Sequence, residues 1–200
     1  SAQGNDPETL SFATSRDGTR VPYRVYRAHG APQDAPVIVT GYGGFNVPWL
    51  PAYDAMAAAW IMAGGIWVHT HLRGGGELGT EWWQGGRLHR KQNTFDDMNA
   101  VAEALIASGL ASRDRLGVIG SSNGGLLAGA AIVQRPDLYG AAVPQVPILD
   151  LLRFRNDPVT YAIGLADYGN PNLPEHARYL HECSPYHGVV PGKNYPAVLL

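Results

Sequence analysis

The sequence contains little cysteine and no excess of charge of either sign. Its one cysteine, Cys183, cannot form an intrachain disulfide, so no set of disulfide bridges holds the fold. Fifteen Lys and Arg residues balance 17 Asp and Glu residues among 200. Because binding to a phosphate backbone requires a basic excess, nucleic acid is not expected as a partner.

Long apolar runs are also missing. The longest hydrophobic stretch, residues 52–68, is interrupted by Asp54 and by the Gly64–Gly65 pair, which makes it too broken for a membrane span. The first residues show no charged-then-apolar signal segment. We therefore expect no membrane partner and a cytoplasmic location. A periplasmic or secreted location stays open, since a single cysteine does not distinguish these compartments.

Glycine and proline are abundant, with 25 and 15 residues spread along the chain, which is typical of many short connections. A hairpin is predicted over residues 9–28, and a last strand begins at residue 196. Four apolar runs have the composition of buried strands: residues 36–40, 66–72, 116–120 and 141–146. Three segments have the character of helices: residues 53–63, 94–109 and 123–135. This alternation predicts an α/β fold whose mostly parallel sheet carries helices on both faces.

Two details of the second helix are predicted from its first residues. Thr94 is expected to cap the helix, with Asp97 three positions later completing a capping box. The Asp96–Asp97 pair looks like a catalytic pair of carboxylates, but adjacent helical residues point in different directions. We therefore interpret both as acids that stabilise the start of the helix. The segment before this helix, residues 74–93, is expected to be a loop.

Residues 120–124 (GSSNG) fit the pattern G-x-S-x-G with Ser122 in the serine position. A buried strand precedes the motif and a helix rich in small residues follows it, which predicts a nucleophile elbow. The backbone N–H of Asn123 would then point towards the oxyanion of an acyl-transfer intermediate. The alternative is a glycine-rich turn with a solvent-facing serine.

Five motifs occur in the order found in one known family: residues 41–46 (GYGGFN), 72–77 (LRGGGE), 91–97 (KQNTFDD), 121–125 (SSNGG) and 134–138 (QRPDL). From about residue 12 to residue 200 the chain resembles the prolyl oligopeptidase family of serine peptidases. The resemblance implies an α/β-hydrolase catalytic domain that cleaves short peptides through a serine acyl-enzyme. By position, Ser122 matches the nucleophile, Asn123 the backbone oxyanion donor, and Tyr42 the second oxyanion donor. No cofactor is expected.

The substrate pocket also follows from the resemblance. Phe45 and Tyr168 match apolar pocket residues, and Val146 falls at a matching strand end. Proline-specific members carry a tryptophan four residues before the tyrosine, where this sequence has Gly164. Either the preference for proline is weakened, or the loop is shifted in register and Trp49 or Trp83 supplies the ring. A preference for basic residues would need acidic groups, and Glu77, Glu81 and Asp167 are the candidates.

A metal site is not expected. His69 and His71 share one face of a predicted strand, as a zinc-binding pair would. However, a third ligand at suitable spacing is missing, whereas zinc sites need three or four.

The base and acid of a catalytic triad are not found in the sequence. His176, His181 and His187 all precede the strand at residue 196, whereas the family's Asp and His follow it. We therefore expect both beyond residue 200, in a longer parent chain or in a C-terminal companion fragment.

The last strands and helices of the fold and the family's β-propeller are likewise expected to be absent. Residues 1–200 would form a single, partial catalytic domain that is nearly inactive alone, because a serine without its base loses about 10⁶ in rate.

Two other functions stay open. One is an esterase or amidase of the same fold that acts on non-peptide acyl groups. The other is a non-catalytic binding module that retains the serine turn as a relic.

Overall fold

The structure is a computed structural model that describes residues 9–50 and 52–200. Within these residues the sheet consists of seven strands: β1 (Thr9–Thr14), β2 (Arg20–Arg27), β3 (Val37–Thr40), β4 (Ile66–Thr70), β5 (Leu116–Ser121), β6 (Ala141–Gln145) and β7 (Ala197–Val198). Their order across the sheet is β1-β2-β4-β3-β5-β6-β7. The strands predicted from apolar runs are confirmed, with ends that differ by a few residues.

The pairing of the strands separates a hairpin from a parallel body. Strands β1 and β2 are antiparallel, and β2 joins β4 in the same sense. All pairings from β4 through β3, β5 and β6 to β7 are parallel. The predicted hairpin turn is confirmed, since Ser15 N–H donates to Thr19 O at 2.8 Å and Gly18 adopts φ 87°. The mostly parallel sheet is confirmed as well.

Seven α-helices lie in the described part of the chain: α1 (Ala55–Met62), α2 (Thr80–Gln84), α3 (Gln92–Ala107), α4 (Asn123–Gln134), α5 (Pro158–Gly164), α6 (Pro174–Cys183) and α7 (Pro185–Gly188). Helices α1, α3 and α4 were predicted. Helix α2 lies inside the segment predicted as a loop, and α5 to α7 were not predicted. Across the described residues, none of the helices combines the length and apolar character that a bilayer span requires.

The two faces of the sheet are covered unequally. Val37, Val39 and Val118 point into a core that includes Leu105 of α3 and Leu126 of α4. Residues that alternate with these line a groove of about 240 Å³ together with Trp60 of α1: Ile38, Gly117, Ile119, Ala141 and Val143. Helices therefore lie on both faces, as expected, but α1 contains no buried residue.

The predicted start of the second helix is wrong. Helix α3 begins at Gln92, and Thr94, within its first turn, donates its hydroxyl to Arg73 O at 2.8 Å. Asp97 accepts from the backbone N–H of Arg73 at 3.1 Å and from its guanidinium Nε at 2.9 Å. The carboxylate is fully buried, and the buried guanidinium of Arg73 supplies the counter-charge that such burial requires. Asp97 therefore joins the loop after β4 to α3 and does not act at the helix start.

The same guanidinium also binds the hairpin. Asp17 accepts from Arg73 Nη1 at 2.5 Å. This contact with Arg73 is the main reason that the pKa of Asp17 falls to about 2. Arg73 thus connects the hairpin turn, the loop after β4 and helix α3.

Candidate active site

The predicted site residues follow the carboxyl ends of parallel strands. Tyr42 comes just after β3, Ser122 directly after β5 and Val146 directly after β6. Because these strands are parallel neighbours, their carboxyl ends meet at one edge of the sheet. Open α/β sheets bind ligands at this edge.

Ser122 occupies a strained turn between β5 and α4. Its backbone has φ 56° and ψ −115°, and the residue is exposed to solvent. A positive φ is costly for a residue with a side chain and is maintained by close packing around the turn. A Cβ at Gly120 would lie 2.2 Å from Gly124 O, and one at Gly124 would lie 2.6 Å from Gly41 O. The two glycines of the motif are therefore required by contact, and the turn lifts the serine into the open.

Asn123 contributes more than the predicted backbone N–H. Its backbone begins α4, where N–H groups have no partner within the helix. Its buried side-chain amide donates to the carbonyl oxygen of Tyr42 and accepts from the hydroxyl of Tyr168 at 2.8 Å. Asn123 therefore fixes the backbone of one predicted site residue and the hydroxyl of another. This side-chain role could not be predicted from the sequence, because Tyr42 and Tyr168 lie 81 and 45 positions away from Asn123.

Tyr42 lies beside the exposed serine. Burial, aided by the negative charge of Asp167, raises the pKa of the phenol, while a side-chain hydrogen bond with Ser122 opposes the rise. The hydroxyl therefore stays protonated at neutral pH and is available as a donor. The structure thus brings Tyr42, Ser122 and Asn123 together.

Phe45 and Tyr168 also meet, as predicted for pocket residues. Their rings pack edge to face with centroids 5.3 Å apart. Phe45 has φ 58° and is partly exposed, whereas Tyr168 is buried. Val146 differs from this pair in exposure: it is 77% exposed with φ 38° and follows Gln145, whose carbonyl accepts from Ser122 N–H at 3.0 Å.

A buried ion pair that sequence reasoning missed supports these rings. Asp167 accepts from Phe45 N–H at 3.0 Å and from Lys91 Nζ at 3.2 Å. Lys91 Nζ also donates to Gly43 O at 2.9 Å. Burial lowers the pKa of Lys91, and the charge of Asp167 opposes this change. Lys91 lies in one of the five motifs and Asp167 precedes Tyr168, but nothing in the sequence shows that the two are paired.

The surroundings of Gly164 leave no space for a side chain at the position where tryptophan was expected. A Cβ at Gly164 would lie 2.6 Å from Phe154 Cε2 and 3.0 Å from Tyr168 Cδ2. The ring of Phe154 therefore occupies this space. Of the two alternative tryptophans, Trp83 donates its indole N–H at 3.0 Å to Oδ1 of Asp167, the oxygen that also accepts from Phe45 N–H. Trp49 stacks instead on Tyr42.

Two of the three candidate acidic groups, Asp167 and Glu77, are buried, whereas the third, Glu81, is exposed in the first turn of α2. Asp167 is fully buried and paired with Lys91. The side chain of Glu77 is only 3% exposed, and burial raises its pKa to about 7. Neither carboxylate is presented to a basic substrate side chain.

Five of the seven histidines lie beside groups other than Ser122. His69 Nε2 donates to Trp49 O at 2.7 Å, and His71 Nδ1 lies 4.0 Å from Glu77 Oε1. His176 Nδ1 accepts from Asn170 N–H at 2.9 Å. His187 meets Asp150 at 3.2 Å and stacks on His181. Outside residues 1–8 and 51, no group of three or more His, Cys, Asp and Glu residues has an arrangement that could hold a metal ion.

Comparison with solved structures gives the class of protein. A prolyl endopeptidase structure superposes with a TM-score of 0.90 at 43% identity over 96% of this chain. A post-proline cleaving enzyme from Rickettsia typhi gives a TM-score of 0.92 at 34% identity over 97% of the chain. The fold is that of an α/β-hydrolase catalytic domain.

Sequence comparison gives the family. The profile of the prolyl oligopeptidase family matches residues 51–200. An uncharacterised peptidase, y4nA of Sinorhizobium fredii, is 42% identical over 92% of the chain. A prolyl endopeptidase of Elizabethkingia miricola is 40% identical over 94% of the chain. The chain belongs to the prolyl oligopeptidase family, which confirms the resemblance drawn from the five motifs.

The chain spans about a quarter of the length of these relatives. It covers 26% of the Sinorhizobium protein and 27% of the Elizabethkingia enzyme. It likewise covers 28% of each of the two solved chains.

Proposed function

We propose that this chain supplies the nucleophile and the oxyanion-binding groups of a serine peptidase that cleaves short peptides. The observation that carries the proposal is the exposed Ser122, held at φ 56° between a buried strand and a helix with the Tyr42 phenol beside it. Membership of the prolyl oligopeptidase family supports the same reaction.

The proposed reaction forms and breaks one bond in each half. Ser122 Oγ attacks the carbonyl carbon of the scissile peptide bond, and its proton passes to a general base. Negative charge develops on the carbonyl oxygen, where the backbone N–H of Asn123 and the hydroxyl of Tyr42 donate to it. The C–N bond then breaks as the leaving amine takes the proton. Water attacks the acyl-enzyme in the second half and releases the acid and free Ser122.

The base and its acidic partner are proposed to come from sequence beyond residue 200, in the parent chain or in a companion fragment. The engagement of His176, His181 and His187 with other groups supports this assignment. We propose that residues 1–200 form part of a single catalytic domain, since one sheet takes strands from Thr9 to Val198. The cytoplasm is the proposed compartment, which cell fractionation tests.

The substrate pocket is proposed to be lined by Phe45, Tyr168 and Val146. The edge-to-face pair of Phe45 and Tyr168 supports an apolar pocket for the residue before the cleaved bond. Trp83 is the tryptophan whose position beside Asp167 favours a role at this pocket in place of residue 164.

The experiment uses the full-length protein that contains this chain. Hydrolysis of a proline-containing peptide amide is compared with that of a short-chain aryl ester, for the unsubstituted protein and for Ser122→Ala. The neighbouring exposed Ser121 offers a matched control, Ser121→Ala. A peptidase shows peptide cleavage that Ser122→Ala abolishes and Ser121→Ala retains. Cleavage of the ester alone would favour the esterase, and full biological activity of Ser122→Ala would favour the binding module.

A further inference from the structure

The ring of Tyr42 is held by an aromatic neighbour that no motif singles out. Asn123 fixes the carbonyl of Tyr42, but the phenol hydroxyl is separated from that backbone by two rotatable bonds. The indole of Trp49 stacks on the phenol with ring centroids 5.4 Å apart and an interplanar angle of 15°. This contact limits the rotation of the ring that carries the hydroxyl.

Trp49 is itself held at both of its peptide groups. Its N–H donates to Glu77 Oε1 at 3.2 Å, and its carbonyl accepts from His69 Nε2 at 2.7 Å. The imidazole of His69 also stacks on the indole of Trp49, with ring centroids 6.0 Å apart and an interplanar angle of 11°. His69 lies in β4 and Glu77 lies in the loop after β4. Their side chains therefore attach Trp49, which is itself in a loop, to the edge of the sheet.

The arrangement forms a continuous series from the sheet to the candidate oxyanion donor. His69 supports Trp49, and Trp49 supports Tyr42, with near-parallel rings at each step. Donors that stabilise an oxyanion act through their fixed direction, since a group that must reorient during the reaction loses most of its effect. A neighbour that fixes the phenol therefore acts on the rate of the chemical step.

We infer that Trp49 is a positioning residue for the hydroxyl of Tyr42, anchored by His69 and Glu77. The inference rests on the proposed function and deepens it, because it assigns to the aromatic series the alignment of the second oxyanion donor. Trp49 touches neither the substrate nor Ser122 in this role, and its effect passes entirely through Tyr42.

The test is a double-mutant cycle in the full-length protein, read as kcat and KM on a peptide amide. Trp49→Leu lowers kcat about tenfold and changes KM by less than about twofold. The loss in kcat is smaller than the 10²–10³-fold loss caused by removing a whole oxyanion donor, because the hydroxyl is misaligned but still present. Trp49→Phe keeps a stacking ring and recovers kcat to within about threefold. In a Tyr42→Phe background, Trp49→Leu lowers kcat by less than about twofold, since the hydroxyl it positions is already gone.

Two further variants keep the test decisive. Trp60 of α1 is a partly exposed tryptophan whose indole N–H donates to Ile66 O, so Trp60→Leu is a matched control that leaves kcat unchanged. If Trp49→Leu does not fold, His69→Phe keeps a ring against Trp49 but removes the donor to its carbonyl. That variant lowers kcat about threefold, and only when Tyr42 is present.

The outcomes separate the inference from the proposed function. An unchanged kcat in Trp49→Leu, or equal losses with and without the Tyr42 hydroxyl, overturns the positioning role while peptidase activity stands. An unsubstituted protein that neither cleaves peptides nor depends on Ser122 overturns the proposed function itself.

Discussion

The buried pair of Lys91 and Asp167 offers the most quantitative prediction, through the variant Asp167→Asn. Oδ1 of the carboxylate accepts from Phe45 N–H and from the Trp83 indole, each at 3.0 Å, and Oδ2 accepts from Lys91 at 3.2 Å. Asparagine keeps the shape but replaces one acceptor oxygen by a donor. At least one of the three donors then faces an NH₂ group, and the ammonium loses its counter-charge.

The magnitude follows from burial of both partners. The side chains of Lys91 and Asp167 are 1% and 0% exposed, so water does not replace the lost charge. Breaking a buried ion pair by removing one partner costs about 3–5 kcal/mol, and an orphaned buried N–H costs about 1–3 kcal/mol. We expect Asp167→Asn to lower the free energy of unfolding by about 3–5 kcal/mol, since Lys91 escapes part of the cost by releasing its proton.

Chemical denaturation of the full-length protein measures the loss, with Lys91→Met and the double variant Lys91→Met/Asp167→Asn as controls. The double variant costs less than the two single changes together, because it leaves no unpaired charge. A shift below about 0.5 kcal/mol for Asp167→Asn, or strictly additive costs, would show that the two buried groups do not stabilise the fold as a pair. The peptidase assay adds a second result: kcat/KM falls in Asp167→Asn, because Phe45 loses the acceptor that holds its backbone.

Three further predictions concern single residues. Tyr42→Phe lowers kcat about 100-fold in steady-state assays with little change in KM, and an unchanged kcat would exclude the hydroxyl as an oxyanion donor. For Glu77, burial raises the folded-state pKa from 4.5 to about 7. Between these two pH values the folded state binds more protons than the unfolded state, so the free energy of unfolding falls as the pH rises. Melting temperatures between pH 5 and 8 therefore decline less in Glu77→Gln, whereas parallel curves would show that Glu77 is not the group that titrates. Gly164→Ala destabilises by about 1–3 kcal/mol in denaturant unfolding because its methyl group meets the Phe154 ring, and a neutral effect would mean that this ring moves aside.

Much of the fold was predictable because its signals are local. The strands β3, β4, β5 and β6 are short apolar runs bounded by glycine or proline, and the serine turn fits within five residues. The hairpin likewise depends on one short turn at residues 15–19. Each of these patterns is complete within a window of the sequence, so the order of elements could be predicted without the structure.

The interactions that shape the site were not predictable, because they join distant residues. Asp97 lies 24 positions from Arg73, and Lys91 lies 76 positions from Asp167. The sequence shows only that each is a charged residue, and for Asp97 its place near a helix start favoured the wrong interpretation. Helix α2 was missed for a different reason: its five residues are too short to show a helical period.

Ser122 is proposed to be an activated nucleophile, and the intact mass of the full-length protein after treatment with a fluorophosphonate tests this role. Such reagents react with activated serines. One adduct is predicted, present in Ser121→Ala and absent in Ser122→Ala. An adduct that persists in Ser122→Ala, or the absence of any adduct in a protein that cleaves peptides, would contradict the account.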